Sequence, residues 1–428
     1  MEQPIAALFV VLFTLEFIVE FVLNELNLRY VRARWAEREI PNYFYGKIDP
    51  EEYGKSVRYT FAKGRVERWV QIYGTALALV VLFSGLLGYL DRLASALAER
   101  YSLGGYSHGI LFCLVVGLVF SVANLPVGLY STFCLEAKFG FNKTTIALYI
   151  TDKFKGLALG LLIGVPFLFV VLWLMDVMGR YWWIWVFAFI VAFHLAMILV
   201  FPTFIAPWFN KFEPLKQGEL RERILALADQ IGFKTSGIYA MDGSKRSSHS
   251  NAYFTGIGKS KRIVLFDTLI DQMTIDQGLA VLAHEMGHYK MKHIRRMLMV
   301  QTGFLFIGLY VLSLLLGYRP LFSAFDLAPS NHAALVLFSL LSGPATFYLG
   351  PLMNFLSRRH EYEADRFAAL TLRDGKPMEE ALVNLTVKNL SNLTPHPWYS
   401  GYHYSHPTPS ERIRAIRTQM ACNEGRPS

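Results

Sequence analysis

Cysteine is scarce: the 428 residues hold only Cys113, Cys134 and Cys422, with no Cys-x-x-Cys pair among them. That excludes a disulfide framework and a thiolate metal site, so the three thiols read as structural. Cys422 has six residues after it and is therefore not itself a prenylation site. Charge is thin as well, at 18%, against a hydrophobic share of 53%. An ordinary soluble chain carries about 45–50% apolar residues even with glycine counted, so this composition belongs in a membrane. Internal repeats and low-complexity tracts are absent. The first apolar run has no basic segment before it and contains Glu16 and Glu20, so it is not expected to be a cleavable signal peptide.

What the chain does have is long apolar runs. Stretches able to cross a hydrocarbon core, about 17–25 residues each, lie at Ile5–Leu23, Trp69–Leu90, Ile110–Phe133, Leu157–Met175, Trp182–Ile205, Met297–Gly317 and Ala333–Leu356. The expected fold is a mainly α membrane protein with seven spans. Net charge is +9, but its placement argues against nucleic acid as a partner. Ten basic residues, from Arg29 to Arg68, fill the segment between spans one and two, whereas the next loop has only Arg92 and Arg100. Lys138, Lys143, Lys153 and Lys155 follow, then Arg180 alone, and Arg319 alone between spans six and seven. This alternation is the positive-inside rule. It predicts an outer N-terminus, with 24–68, 206–296 and everything after Arg358 in the cytosol. Glu16 and Glu20, one helical turn apart inside span one, are costly there unless they face a cavity. Trp182, Trp183 and Trp185 read as an interfacial belt.

The chain thus divides into 1–205 with five spans, a cytosolic segment 206–296, spans six and seven over 297–357, and a cytosolic C-terminal region 358–428. The segment 206–296 begins with an amphipathic helix, Leu220–Ile231, followed by strand-like runs at Ser236–Met241 and Arg262–Phe266 with a turn at Gly256–Lys261. A small sheet with a hairpin is expected. Asn251 and Ala252 lie where a strand edge would pair with an extended peptide. The C-terminal region opens on a charged helix and ends in the basic amphipathic segment Ser410–Met420.

The chemistry is concentrated at His284-Glu285-Met286-Gly287-His288. Two histidines four apart on a helix share a face, where both can bind one zinc, and Glu285 can reach a water on the metal as general base. Leu279, Val281 and Leu282 upstream supply a helix with a face to bury. A catalytic zinc takes three protein ligands, so a third donor is expected downstream. Glu361 is the candidate, with Asp365 four residues later on the same helix face: one would bind metal while the other orients the imidazole of a ligand histidine. Two crossings separate His288 from Glu361, which returns it to the side of the membrane where the histidines began. His360 projects about 100° from Glu361 on that helix, so only one of them faces the metal. His293 reads as a solvated cytosolic residue, and His249 as plain loop.

These residues resemble the integral-membrane zinc metalloproteases of the CAAX prenyl protease 1 family over nearly the whole chain. The resemblance rests on His284–His288, Glu361-Tyr362-Glu363-Ala364-Asp365, Ser248–Phe254, Lys261–Leu265 and Ser405-His406-Pro407 followed by Glu411-Arg412. It implies seven helices around a large water-filled chamber, one Zn2+ per chain at the cytosolic end on His284, His288 and Glu361, and cleavage of peptide or protein substrates prenylated at a CAAX C-terminus. By the same resemblance His406 and Arg412 hold substrate or stabilise the oxyanion, and the membrane is the endoplasmic reticulum or nuclear envelope in a eukaryote and the inner membrane in a bacterium. The alternatives are a quality-control protease of the related heat-shock type, and a transporter with a structural metal. A structural zinc, however, usually has four Cys or His ligands.

Overall fold

The computed structural model describes residues 2–37, 40–256 and 261–424. Its membrane part is built from α1 (Glu2–Ala36), α2 (Pro50–Phe83), α3 (Leu86–Arg100), α4 (Ser107–Tyr130), α5 (Ile146–Val177) and α6 (Trp182–Val200). Next come β1 (Phe212–Pro214), α7 (Glu219–Ile231), β2 (Gly237–Met241), β3 (Ala252–Thr255), β4 (Arg262–Phe266) and α8 (Ile275–Lys290). The chain then returns to the membrane with α9 (His293–Leu315), α10 (Asn331–Phe347) and α11 (Gly350–Leu372), and ends with α12 (Lys376–Lys388), α13 (Pro397–His403) and α14 (Pro409–Glu424).

Among the described residues, six helical stretches are long and apolar enough to cross a bilayer, and the pair α10 and α11, bent by 65°, makes a seventh if taken as one span. Leu8, Val11, Leu15, Ile18 and Val22 on α1 are outward and exposed, as a lipid-facing surface requires. The bend between α10 and α11 follows from proline: Pro344 lies inside α10 and Pro351 in the first turn of α11. A second break separates α2 from α3, so the run Trp69–Leu90 is not one straight helix. Gly85 sits there at φ +77, a left-handed conformation that favours glycine. Beyond it, a Cβ on Gly88 would overlap the Asp326 carbonyl oxygen, so α3 is drawn onto the 319–327 connection.

The sheet order is β1-β2-β4-β3. The two runs read as strands, β2 and β4, are neighbours but parallel, and the antiparallel partner of β4 is β3. In the sequence this segment is a polar stretch with a strand edge expected only at Asn251 and Ala252. It forms a strand because Ala252 and Phe254, two apart, turn one face into the core shared by the sheet, α7 and α8. The turn expected at Gly256–Lys261 falls largely on 257–260, outside the described residues. Lys261 is buried with its ammonium 4.1 Å from the Phe233 ring and 3.7 Å from the Tyr289 ring, which clamps the sheet to α8.

Candidate metal centre

Helix α8 begins with a capping box, Thr274 and Gln277 bonding each other's backbone amides. Its residues Gly278–Ala283 are all buried, which fixes the helix rigidly beneath the motif. Helix α11 packs across it at Gly287, where a Cβ would stand 3.2 Å from Ala364 Cα and 3.1 Å from Phe367. The glycine between the two histidines therefore lets the backbones approach closely enough for Glu361 to face them.

Donor groups of three residues on the two helices form a triangle, the Glu361 carboxylate meeting each imidazole with a different oxygen. His284 Nε2 lies 3.1 Å from His288 Nε2, His288 Nε2 lies 3.2 Å from Glu361 Oε1, and His284 Nε2 lies 3.5 Å from Glu361 Oε2. With Zn–N and Zn–O bonds of about 2.0–2.2 Å, tetrahedral edges measure about 3.3–3.5 Å, so separations of this size suit three residues sharing one zinc ion. Glu361 is 3% exposed, and its Oε2 accepts no hydrogen bond among the described residues, which leaves that buried oxygen open to a cation.

Asp365 Oδ1 stands 2.8 Å from His284 Nδ1, placed to accept a proton from that nitrogen and to leave Nε2 directed at the triangle, where a cation would displace its proton. Asp365 is in turn gripped by Arg412, at 2.6 Å from Nη2 and 2.8 Å from Nε. The remaining nitrogen, Nη1, lies 3.5 Å from Glu361 Oε2. Burial and the Arg412 charge oppose a second proton on His284, but Asp365 and Glu361 outweigh them and raise its pKa to about 9. The field at the cluster thus attracts positive charge. Burial, followed by the Glu361 charge among others, pushes the Glu285 carboxyl above its ordinary range, although His284, His288 and Arg412 pull the other way.

His406 Nε2 is 3.4 Å from Glu361 Oε1, with its side chain 62% exposed. His406 and Arg412 line a polar cavity of about 770 Å³ that reaches Asn24, Tyr59, Glu67 and Tyr404. Glu20 of α1 turns inward to His403, 3.5 Å away. Asn251 immediately precedes β3 and Ala252 begins it, at one of the two edges of the sheet. The Asn251 carbonyl accepts from Phe266 N–H at 3.0 Å, so by ladder alternation the Ala252 and Phe254 backbones face the free edge.

Two residues depart from the sequence reading. His293 is not solvated but 2% exposed, because Lys292 takes a left-handed turn at φ +61 that folds the start of α9 against α11. His293 Nδ1 lies 3.0 Å from His288 Nδ1, its Nε2 lies 3.0 Å from Glu363 Oε2, and its ring stacks on His360 at 4.1 Å. The only signal in the sequence was a histidine five residues past His288, too weak by itself. His249 stacks on Phe141 at 4.1 Å and meets Asn389 Oδ1 at 2.9 Å, tying the sheet to the membrane part. A second His/Asp group joins α3, α4 and α10: His108 Nε2 and His332 Nε2 lie 2.8 and 3.0 Å from the same Asp91 oxygen.

Residues 30–211 match the family described as CAAX prenyl protease N-terminal, five membrane helices, and residues 214–420 match peptidase family M48. CAAX prenyl protease 1 of Saccharomyces cerevisiae is 36% identical over 406 residues, 89% of each chain. The Arabidopsis thaliana homolog is 36% identical over 390 residues, 88% of this chain and 90% of its own. The Homo sapiens homolog is 31% identical over 414 residues, 87% of each. The crystal structure of S. mikatae Ste24p superposes with a TM-score of 0.87 at 34% identity, covering 97% of this chain and 98% of that one. With its membrane helices, its metal-competent cluster and these relatives, the chain belongs to peptidase family M48 and is an integral multi-pass membrane metalloprotease of the CAAX prenyl protease 1 type.

Proposed function

We propose that the chain is a zinc endopeptidase that removes C-terminal peptides from prenylated CAAX-type proteins at the cytosolic face of its membrane. The observation that carries the metal assignment is the donor triangle of His284, His288 and Glu361, whose edges of 3.1, 3.2 and 3.5 Å suit one Zn2+. When bound, the metal supplies Lewis acidity, polarising the scissile carbonyl and making its water acidic near neutral pH. Glu285 takes the proton from the attacking water and delivers it to the leaving amine. Arg412 Nη1 and His406 Nε2, both on the cavity wall, offer donors to the oxygen on which charge develops. Asp365 holds His284 in the required tautomer. The outer edge of β3, at the Ala252 carbonyl and the Phe254 backbone, hydrogen-bonds the peptide main chain in an extended form, with Asn251 at its entrance, its Oδ1 accepting from the Ala252 N–H at 2.8 Å.

The prenyl requirement is supported by the relatives, which are CAAX prenyl protease 1 and its homologs. The distribution of Lys and Arg supports an outer N-terminus and a cytosolic C-terminus, in the endoplasmic reticulum or nuclear envelope if the cell is eukaryotic. The test is mass spectrometry of products from one CAAX peptide with and without its farnesyl group. Cleavage confined to the farnesylated peptide and abolished by a chelator supports the reading. Equal cleavage of both favours a quality-control protease, and no cleavage of either by zinc-loaded protein removes the peptidase assignment.

A further inference from the structure

The two imidazoles of the triangle are held from behind by different means. His284 Nδ1 meets a carboxylate directly, Asp365 at 2.8 Å. His288 Nδ1 meets another imidazole, His293 Nδ1 at 3.0 Å, and only beyond that ring a carboxylate, Glu363 at 3.0 Å. Resting on the metal assignment above, we propose that His293 and Glu363 are positioning residues that set the tautomer of His288 through a two-step hydrogen-bond relay.

Proton counting gives the direction of the relay. Two ring nitrogens 3.0 Å apart hydrogen-bond only if one carries a proton and the other does not. An ionised Glu363 accepts but does not donate, so His293 Nε2 carries the proton of its neutral ring and donates it. His293 Nδ1 is then bare, and His288 Nδ1–H donates to it. That leaves His288 Nε2 with its lone pair aimed at His284 Nε2 and Glu361 Oε1, the form a metal ligand needs. The neutral ring suits its place, since His293 is 2% exposed and stacked on His360. Arg296 Nη1 at 3.5 Å and Arg359 Nε at 3.3 Å hold Glu363 from outside. Helix α11 thus serves both histidines from one stretch: Asp365 for His284, and Glu363 through His293 for His288.

The experiment is Zn2+ affinity of the full-length chain in detergent, measured by chelator competition, together with Tm of the metal-free protein. His293→Ala removes the acceptor and is expected to weaken Zn2+ binding about 10–100-fold. His293→Asn also loses the stacked ring but returns an acceptor oxygen near the Nδ1 position, so it is expected to recover most of that loss. Glu363→Leu, which frees His293 to adopt the other tautomer, is expected to weaken binding, whereas Glu363→Gln, still an acceptor, weakens it less. Equal affinity of wild type and His293→Ala, or His293→Asn no tighter than His293→Ala with matching metal-free Tm, overturns the relay. His288→Ala separates the two levels: if it leaves Zn2+ affinity unchanged, the metal assignment itself fails and the relay falls with it.

Discussion

Asp365 and Arg412 form a buried bidentate pair, with Asp365 1% and Arg412 9% exposed, directly behind His284. The pair links α11 to α14, and the Asp365 oxygen it shares with His284 links both to α8. Breaking such a pair from one side strands a buried charge, which costs about 3–5 kcal/mol. Asp365→Ala and Arg412→Met are each expected to lower Tm markedly, and the double variant is expected to lose less than the sum of the two. Thermal unfolding of purified protein checks this, and wild-type stability in both single variants would contradict it.

Glu285→Gln keeps the size of the side chain and removes its ability to take a proton. It is expected to bind Zn2+ as wild type does while peptide cleavage falls by at least about 10²-fold. Metal content and turnover measured on one preparation decide between this outcome and a structural role, in which both would fall together.

The pH dependence follows from the same residue. Burial, aided by the Glu361 charge, raises the Glu285 pKa from its ordinary 4.5. The base form is lost as pH falls through that raised value, so the acid limb of kcat/KM is expected above the ordinary carboxylate range. A kcat/KM profile flat through pH 4.5 would contradict the assignment.

Gly287 is a prediction about spacing. An added Cβ stands 3.2 Å from the Ala364 backbone, so Gly287→Ala must push α11 away by a few tenths of an ångström and Gly287→Val by more. Overpacking of this kind costs about 1–3 kcal/mol, and the displaced Glu361 is expected to weaken Zn2+ affinity as well. Chelator competition on both variants tests the order wild type, Ala, Val.

Much of this molecule was readable from one dimension because the signals are local or compositional. The apolar runs, the loop charges and the 3.6-residue spacing of His284, His288, Glu361 and Asp365 need no knowledge of neighbours. The features that escaped depend on what packs against them. The apolar run Ile263–Phe266 marks β4 plainly enough, but Ala252–Thr255 becomes a strand only because Ala252 and Phe254 find a core beneath them. Span two reads as continuous, yet Gly85 breaks it where Gly88 must fit against Asp326.

By itself, the sequence determined that the chain enters the membrane repeatedly, that two histidines share one helical face, and that a pair of acids one turn apart lies two crossings downstream. Those are properties of period and composition, fixed before any long-range contact forms. Only the tertiary structure decided which atoms meet. It brought Glu361 rather than His360 to the imidazoles, took Arg412 from near the end of the chain to close on Asp365, and turned His293 from solvent into the partner of His288. The reason is physical: burial creates an unmet demand for hydrogen bonds, and which group satisfies it depends on the packing of helices that lie far apart in the chain.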